Sequence, residues 1–271
     1  GVLAGIFINR EEQIYQAHEH QPGGWRNTRR FIISEITKQS DVIKSFVLTP
    51  QDGLPVAGYL PGQYLALYLQ PEGAPYRQIR QYSLTRNANG RDYRIAVRHQ
   101  EGGTVSGWLH QHAKCGDQLD VAVPGGDFVL DESLAPAPLT LISAGVGQTP
   151  LLAMLHQLVK QHYPAEVNWW HATHSSTTHA FAEEVTALGS QLKDFSQRVW
   201  YSAPQTTDTP AAQFSGRMQI SVAGAEQFSP DRHFYLCGPL EFMQSVFEQL
   251  TLAGIAPDHI HYEMFGPHKS L

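Results

Sequence analysis

The spacing of apolar and polar positions changes twice along the chain. At the start, Val2, Leu3, Ile6, Phe7, Ile14 and Tyr15 recur at helical spacing, while Asn9, Arg10, Glu12, Gln13 and Gln16 fall largely on the other side. This predicts an amphipathic helix over residues 1 to about 20. It opens already apolar, without an N-cap residue, and closes at Pro22-Gly23-Gly24, so the helix is expected to begin upstream of Gly1. From Thr28 onward the pattern shortens into β-rich runs over residues 29–36, 43–49, 63–69, 78–84, 93–98 and 118–123. Pro61-Gly62, Asn89-Gly90 and Gly125-Gly126 punctuate these runs, and a single helix is expected over residues 105–112. Six short strands with one helix predict a closed antiparallel barrel, an arrangement that removes exposed strand edges.

After Ala135-Pro136-Ala137-Pro138 the pattern changes again. Leu139-Thr140-Leu141-Ile142-Ser143 is a continuous apolar run, suited to a strand buried on both faces of a parallel sheet. Further strands over residues 167–171, 199–201 and 234–237 alternate with helices over 150–162, 180–188 and 241–253. That alternation predicts a doubly wound α/β domain. The Thr-, Ala- and Pro-rich residues 202–213 read as a surface loop, and no internal repeat is found. Three segments are therefore expected: residues 1–24 as a helix and linker, 25–135 as the barrel, and 136–271 as the α/β domain.

Composition narrows the class. With 42% hydrophobic and 16% charged residues, the 271 residues suit a soluble globular protein with two cores. The net charge of −6 comes without long like-charged blocks, which argues against nucleic acid as a partner. Cys115 and Cys237 match no metal spacing or disulfide framework, so a reducing cytoplasm is expected. The apolar start is too short to span a bilayer and has Arg10 after it, so neither a signal peptide nor a membrane anchor is expected.

Four loops carry the candidate chemistry. In Arg80-Gln81-Tyr82-Ser83, at a strand end, alternate residues share a face, so Arg80 and Tyr82 point to one ligand. A guanidinium suits the pyrophosphate of FAD, a tyrosine ring can cover the isoalloxazine, and Ser83 lies within reach of flavin N5; taken alone, the motif reads equally as an ordinary barrel strand with a surface arginine. Gly102-Gly103-Thr104-Val105-Ser106 leads into the barrel's helix, whose free N–H groups suit a pyrophosphate; the alternative is a helix capped by Thr104 or Ser106. Gly145-Val146-Gly147-Gln148-Thr149-Pro150 follows a buried strand and opens a helix, as a nucleotide loop does, with Pro150 where the dinucleotide fingerprint has its last glycine. A tight strand-to-helix turn is the plainer alternative. Cys237-Gly238-Pro239 ends another strand, where the cysteine is either a small buried hydrophobe or a neighbour of the nicotinamide.

Together with Tyr64 in Pro61-Gly62-Gln63-Tyr64 and the ending Tyr262-Glu263-Met264-Phe265-Gly266-Pro267-His268-Lys269, these loops resemble the FAD- and NAD-binding half of flavohemoglobins, within the ferredoxin-NADP reductase superfamily. The resemblance covers essentially the whole chain. It implies FAD contacts at Tyr64, Arg80, Gln81, Tyr82 and Ser83, with Met264, Phe265, Gly266 and Pro267 closing over the ring. It implies nicotinamide-nucleotide contacts at residues 145–150 and at Cys237, Gly238 and Pro239. Met264 departs from the cysteine of many relatives. The first helix resembles the last globin helix of that family, which gives Glu11 a role in supporting a proximal heme histidine; read by itself, Glu11 is a polar residue on a stranded helix. Heme is expected only in a globin domain that this sequence does not contain.

The expected function follows from that resemblance. NADH delivers hydride to FAD, and the reduced flavin passes single electrons onward, in the intact flavohemoglobin to heme that converts nitric oxide and oxygen to nitrate; the expected preference for NADH over NADPH is read separately from Ala172-Thr173-His174-Ser175-Ser176, which offers no arginine for a 2′-phosphate. Ser83 orients N5, Cys237 shapes the nicotinamide site, and Glu263 biases flavin potential and proton traffic. Gly103, Val105 and Ser106 complete the FAD contacts, and Phe265 covers the ring until nicotinamide displaces it. The alternatives are a free-standing flavin or ferric reductase of the same superfamily, or a nucleotide-binding module without turnover. The fourteen histidines, among them the pairs His18/His20, His110/His112, His171/His174 and His259/His261, are scattered among elements with few acidic or thiolate companions, so no metal site is expected. A monomer is expected.

Overall fold

The computed structural model describes residues 21–205 and 213–264. The helix expected over residues 1 to about 20, with Glu11, lies outside the described residues, as do Phe265, Gly266, Pro267 and the side chain of Met264. The chain divides into two compact units. One takes the described residues up to Thr37 together with Lys44–Asp127, and the other takes Lys38–Ile43 and Phe128 onward.

The first unit contains β1 (Thr28–Lys38), β2 (Ile43–Pro50), β3 (Tyr64–Leu69), β4 (Gln78–Ser83), β5 (Tyr93–Arg98), helix α1 (Thr104–Gln111) and β6 (Gln118–Ala122). Its six-stranded sheet has the order β4-β3-β6-β1-β2-β5. The two edge strands approach through an antiparallel bridge between Leu84 and Ile95, with Thr85 N–H donating to Arg94 O at 3.0 Å, which rolls the sheet toward a closed barrel. Alternation produces the core: in β3, Leu65, Leu67 and Leu69 are buried while Tyr64, Ala66 and Tyr68 are half-exposed. Phe31, Ile33, Phe46, Leu48, Ile95, Val97, Leu119 and Val121 join them, and α1 adds Val105 and Leu109 to the same core.

The second unit contains β7 (Leu139–Ala144), a 3-10 turn (Gly145–Gly147), α2 (Gln148–Lys160), β8 (Val167–Thr173), α3 (Ala182–Gly189), β9 (Phe195–Tyr201), β10 (Gln213–Ser215), β11 (His233–Gly238), α4 (Leu240–Leu252) and β12 (Ile260–Met264). The order is β10-β9-β8-β7-β11-β12, and the paired registers are parallel throughout. Winding runs outward from β7 in one direction and, after β11, in the other. Right-handed crossovers in opposite directions place α2 and α4 on opposite faces. Ile142, Trp170, Phe234 and Leu236 pack with Met243, Val246 and Leu250 of α4 on one of them.

Three differences from the sequence reading have physical causes. β9 starts at Phe195 rather than Val199, because Ser196, Gln197 and Arg198 are polar yet pair in register with Asn168, Trp169 and Trp170 of β8. β10 has three residues, too few to show a period. β12 alternates His261 and Glu263 with Ile260 and Tyr262, and its pairing with β11 makes it a strand where a cofactor loop was expected.

Candidate functional site

At the end of β4, alternation sorts four side chains. Arg80 and Tyr82 stand opposite Leu67 and Leu65 of β3, while Gln81 and Ser83 stand opposite Ala66 and Tyr64. The expected shared face of Arg80 and Tyr82 is present. Arg80 is exposed, and its guanidinium donates only within its own strand, to Ile79 O at 2.8 Å and Gln78 Oε1 at 3.3 Å. It has no carboxylate partner among the described residues, which leaves its fork available to an anion. Tyr82 packs half-buried against the barrel core, and burial pushes its phenol up to about 12, so it stays protonated. Ser83 is buried. The Tyr64 ring lies where a side chain at position 126 would stand: a Cβ on Gly126 would come within 2.9 Å of Tyr64 Cε1.

The start of α1 is the second feature of this unit. Gly103 is its N-cap residue, and no side chain caps the helix. Thr104 and Ser106 therefore do not fill the capping role that was one alternative. Ser106 Oγ instead accepts from Gln100 N–H at 3.1 Å, and Val105 and Ser106 are buried. The first-turn N–H groups thus lack a side-chain acceptor, which is the condition for receiving a phosphate.

In the second unit, the direction of winding changes between β7 and β11, and ligands of open α/β sheets bind at the carboxyl ends of the strands flanking such a point. Each strand reaches a glycine there: β7 ends at Ala144 and runs into Gly145, and β11 ends at Gly238. Gly145 has φ +55°, and a Cβ built on it meets nothing within 4 Å. Gly147 is required for the opposite reason. Its Cβ would stand 2.4 Å from Cys237 O and 2.7 Å from Gly238 Cα, so the start of α2 rests directly on the end of β11. No side chain caps α2; Thr149 Oγ1 donates back to Val146 O at 3.0 Å, and Pro150 occupies the first turn, where its missing N–H has no intrahelical partner to lose. Pro239 is the N-cap residue of α4.

Register brings four polar residues into one row across this edge: Glu263 beside Cys237, Cys237 beside Ser143, and Ser143 beside His171. Cys237 is fully buried, and burial first, then the nearby Glu263, hold its thiol protonated well above the usual range. Burial lifts the Glu263 carboxyl to about 7, and its Oε2 is buried without a hydrogen-bond partner among the described residues. Gln148 is also buried; Nε2 donates to Ala180 O at 3.1 Å and Oε1 has no partner among the described residues. Sequence reasoning found Cys237, Gln148 and Glu263 but missed Ser143 and His171, because only strand register reveals that they stand beside the others.

In sequence and fold the chain matches known oxidoreductases. The family description "Oxidoreductase FAD-binding domain" fits residues 30–130, and "Oxidoreductase NAD-binding domain" fits residues 141–248. The flavohemoglobin-like FAD/NAD-binding domain of nitric oxide dioxygenase from Vibrio cholerae is 42% identical with TM-score 0.81, over 89% of this chain and all of that one. The chain belongs to the flavohemoglobin-type FAD/NAD-binding reductases. A flavohemoglobin from Malassezia yamatoensis with bound FAD and heme is 29% identical with TM-score 0.85, over 98% of this chain. The chain spans 66% of that protein's length. The cytochrome b5 reductase domain of Ulva prolifera nitrate reductase shares the fold, at 18% identity and TM-score 0.73 over 88% of this chain and 97% of its own. This flavohemoglobin-type reductase is an FAD-dependent NAD(P)H oxidoreductase of the ferredoxin-NADP reductase superfamily. No helix among the described residues is long and apolar enough to cross a membrane.

Proposed function

We propose that this reductase takes electrons from NADH in preference to NADPH and, through FAD, delivers them to the heme of a globin domain in a longer flavohemoglobin, whose overall reaction converts nitric oxide and oxygen to nitrate. The observation that carries the nucleotide half of this reading is the β7–β11 switch point, where an open glycine turn precedes an uncapped helix. The flavin half rests on Arg80, without a carboxylate partner among the described residues, and on the uncapped start of α1.

Arg80 and the backbone N–H groups of residues 104–106 hold the FAD pyrophosphate, with Gly103, whose own N–H donates to Gln100 O at 2.9 Å, forming the turn beside it. Tyr82 and Tyr64 supply ring surfaces, Ser83 orients N5, and Gln81 completes the polar contacts. Residues 145–150 and Cys237, Gly238 and Pro239 hold the dinucleotide. Bound FAD supplies the exchange between a two-electron donor and one-electron acceptors. Cys237 stays a protonated thiol that shapes the site without acting as a nucleophile. Glu263, raised to about 7, changes charge near neutrality and thereby sets the local field. The family resemblance adds Met264, Phe265, Gly266 and Pro267 to the candidate flavin contacts.

Discrimination against NADPH is read from the end of β8. Residues 172–176 carry no arginine or lysine, and His174 is engaged through Nδ1 with Ser202 Oγ at 3.0 Å, so this segment offers no guanidinium or ammonium to a 2′-phosphate. Steady-state reduction of ferricyanide with each nucleotide tests the preference, which fails if NADPH has the higher kcat/KM. Nitric oxide consumption by the full-length protein, compared before and after flavin removal, tests the acceptor. Consumption that is indifferent to the flavin refutes it.

A further inference from the structure

Beyond the row just described, the buried polar groups of the second unit continue sideways, away from Glu263. Ser143 Oγ and His171 Nδ1 are hydrogen-bonded at 2.8 Å, and both residues are 0% exposed. The His171 ring stacks on that of His179, with centroids 5.2 Å apart and planes 29° from parallel. His179 Nδ1 is in turn hydrogen-bonded to Tyr201 Oη at 2.8 Å, at the end of β9. Ser143 stands two residues before Gly145, the first residue of the turn, and His179 stands in the segment that links β8 to α3. That segment is wound tightly on itself: Thr173 Oγ1 and Thr178 Oγ1 lie 2.8 Å apart, as do Ser175 Oγ and Thr177 Oγ1. A second tie joins the start of α2 to the same segment, from Gln148 Nε2 to Ala180 O at 3.1 Å. Between the two ties and α3, Phe181 has φ +60°, a left-handed backbone that a phenylalanine holds only when its surroundings fix it.

Burial favours neutral rings in both histidines. An ordinary apolar core would fill this space with aliphatic side chains and carry no polar atoms to satisfy. Here His171 Nε2 is buried without a partner among the described residues, a cost that a purely packing residue would not incur.

We propose that Ser143, His171, His179 and Tyr201 form a strut, buried at Ser143 and His171 and half-buried at His179, that fixes the separation between the turn Gly145–Gly147 and the segment 173–181, and so makes the two halves of a pyridine dinucleotide bind as one ligand. This rests on the reading in which the turn receives the pyrophosphate and the end of β8 receives the adenosine. The four side chains touch no ligand; they are positioning residues. Each end of the strut is a hydroxyl that can be deleted with little change in volume. Ser143 and Tyr201 lie on strands two places apart in the sheet, roughly 10 Å, where independent sites have additive effects.

The test titrates the FAD-loaded protein with NAD+ and with AMP, for the wild type, Ser143→Ala, Tyr201→Phe and the double variant. Each single change is expected to weaken NAD+ binding about tenfold, the effect of one buried hydrogen bond, while AMP affinity stays within about twofold. The double variant is expected to be no more than about tenfold weaker than wild type, because one deletion already releases the strut. Unchanged NAD+ affinity in both single variants overturns the proposal. So do equal losses for NAD+ and AMP, or a double variant whose effect is the product of the two. A wild-type protein that binds neither NAD+ nor AMP overturns the underlying dinucleotide reading instead. Two deletions on different strands keep the question open to measurement if one variant misfolds.

Discussion

Substitution of Gly147 by alanine adds one methyl group at a place with no room for it. The new Cβ would stand 2.4 Å from Cys237 O, 2.7 Å from Cys237 C and 2.7 Å from Gly238 Cα. All three are backbone atoms of β11, so no side-chain rotation relieves the overlap, and the start of α2 has to move off the sheet. Overpacking of this kind costs about 1–3 kcal/mol. For a unit of this size each kcal/mol shifts the thermal midpoint by about 2–4 °C, so a fall between about 2 and 12 °C is expected. Because the displaced segment is the proposed pyrophosphate turn, KM for NADH rises as well, whereas bound flavin, held by the other unit, stays. Gly107 is the internal control: it lies inside α1, and a Cβ there meets nothing within 4 Å. The same substitution at that position should stabilise by about 0.5–1 kcal/mol through helix propensity. Thermal unfolding followed by circular dichroism, with flavin content and NADH-ferricyanide kinetics on the same samples, checks all of these. A Gly147→Ala protein with the wild-type midpoint and KM would refute the close-approach argument.

Arg80→Ala removes charge-assisted hydrogen bonds worth about 1.5–3 kcal/mol each, so the protein should purify with depleted flavin; full flavin occupancy would contradict the assignment. Glu263→Gln should change how stability depends on pH. Burial raises the Glu263 carboxyl from 4.5 to about 7, so its contribution is fully present below pH about 4.5 and is lost as pH rises through about 7. Urea unfolding from pH 5 to 8.5 should therefore show the glutamine variant gaining on wild type as pH rises, by on the order of 2 kcal/mol at the alkaline end; parallel curves would remove the buried-carboxylate account. Tyr201→Phe should leave ferricyanide reduction at saturating NADH nearly unchanged while raising KM, and a fall in kcat with constant KM would contradict a positioning role.

Much of the fold is legible because periodicity reports which faces are buried. The Leu65, Leu67 and Leu69 alternation and the unbroken run from Leu139 distinguish a sheet with one buried face from a sheet covered on both. Glycine-rich loops are equally legible, since Gly145 and Gly147 each answer a local demand. Relations between distant strands are not. That Ser143, His171, Cys237 and Glu263 share one row depends on register across four strands, and a single-residue slip would turn each side chain to the other face. β12 escaped notice because its alternating His261 and Glu263 look solvent-exposed until β11 is placed beside them. The missing cap on α1 was undecidable as well, because whether Ser106 turns to its own helix or back to Gln100 is settled by the loop and not by the residue type.

The most direct test of the account is anaerobic addition of NADH to the purified protein while its flavin absorption is recorded. Yellow protein that bleaches in proportion to the NADH added, and regains its colour when ferricyanide is supplied, is the predicted result. Protein that carries no flavin under conditions where it is folded, or flavin whose absorption NADH leaves unchanged, would contradict it.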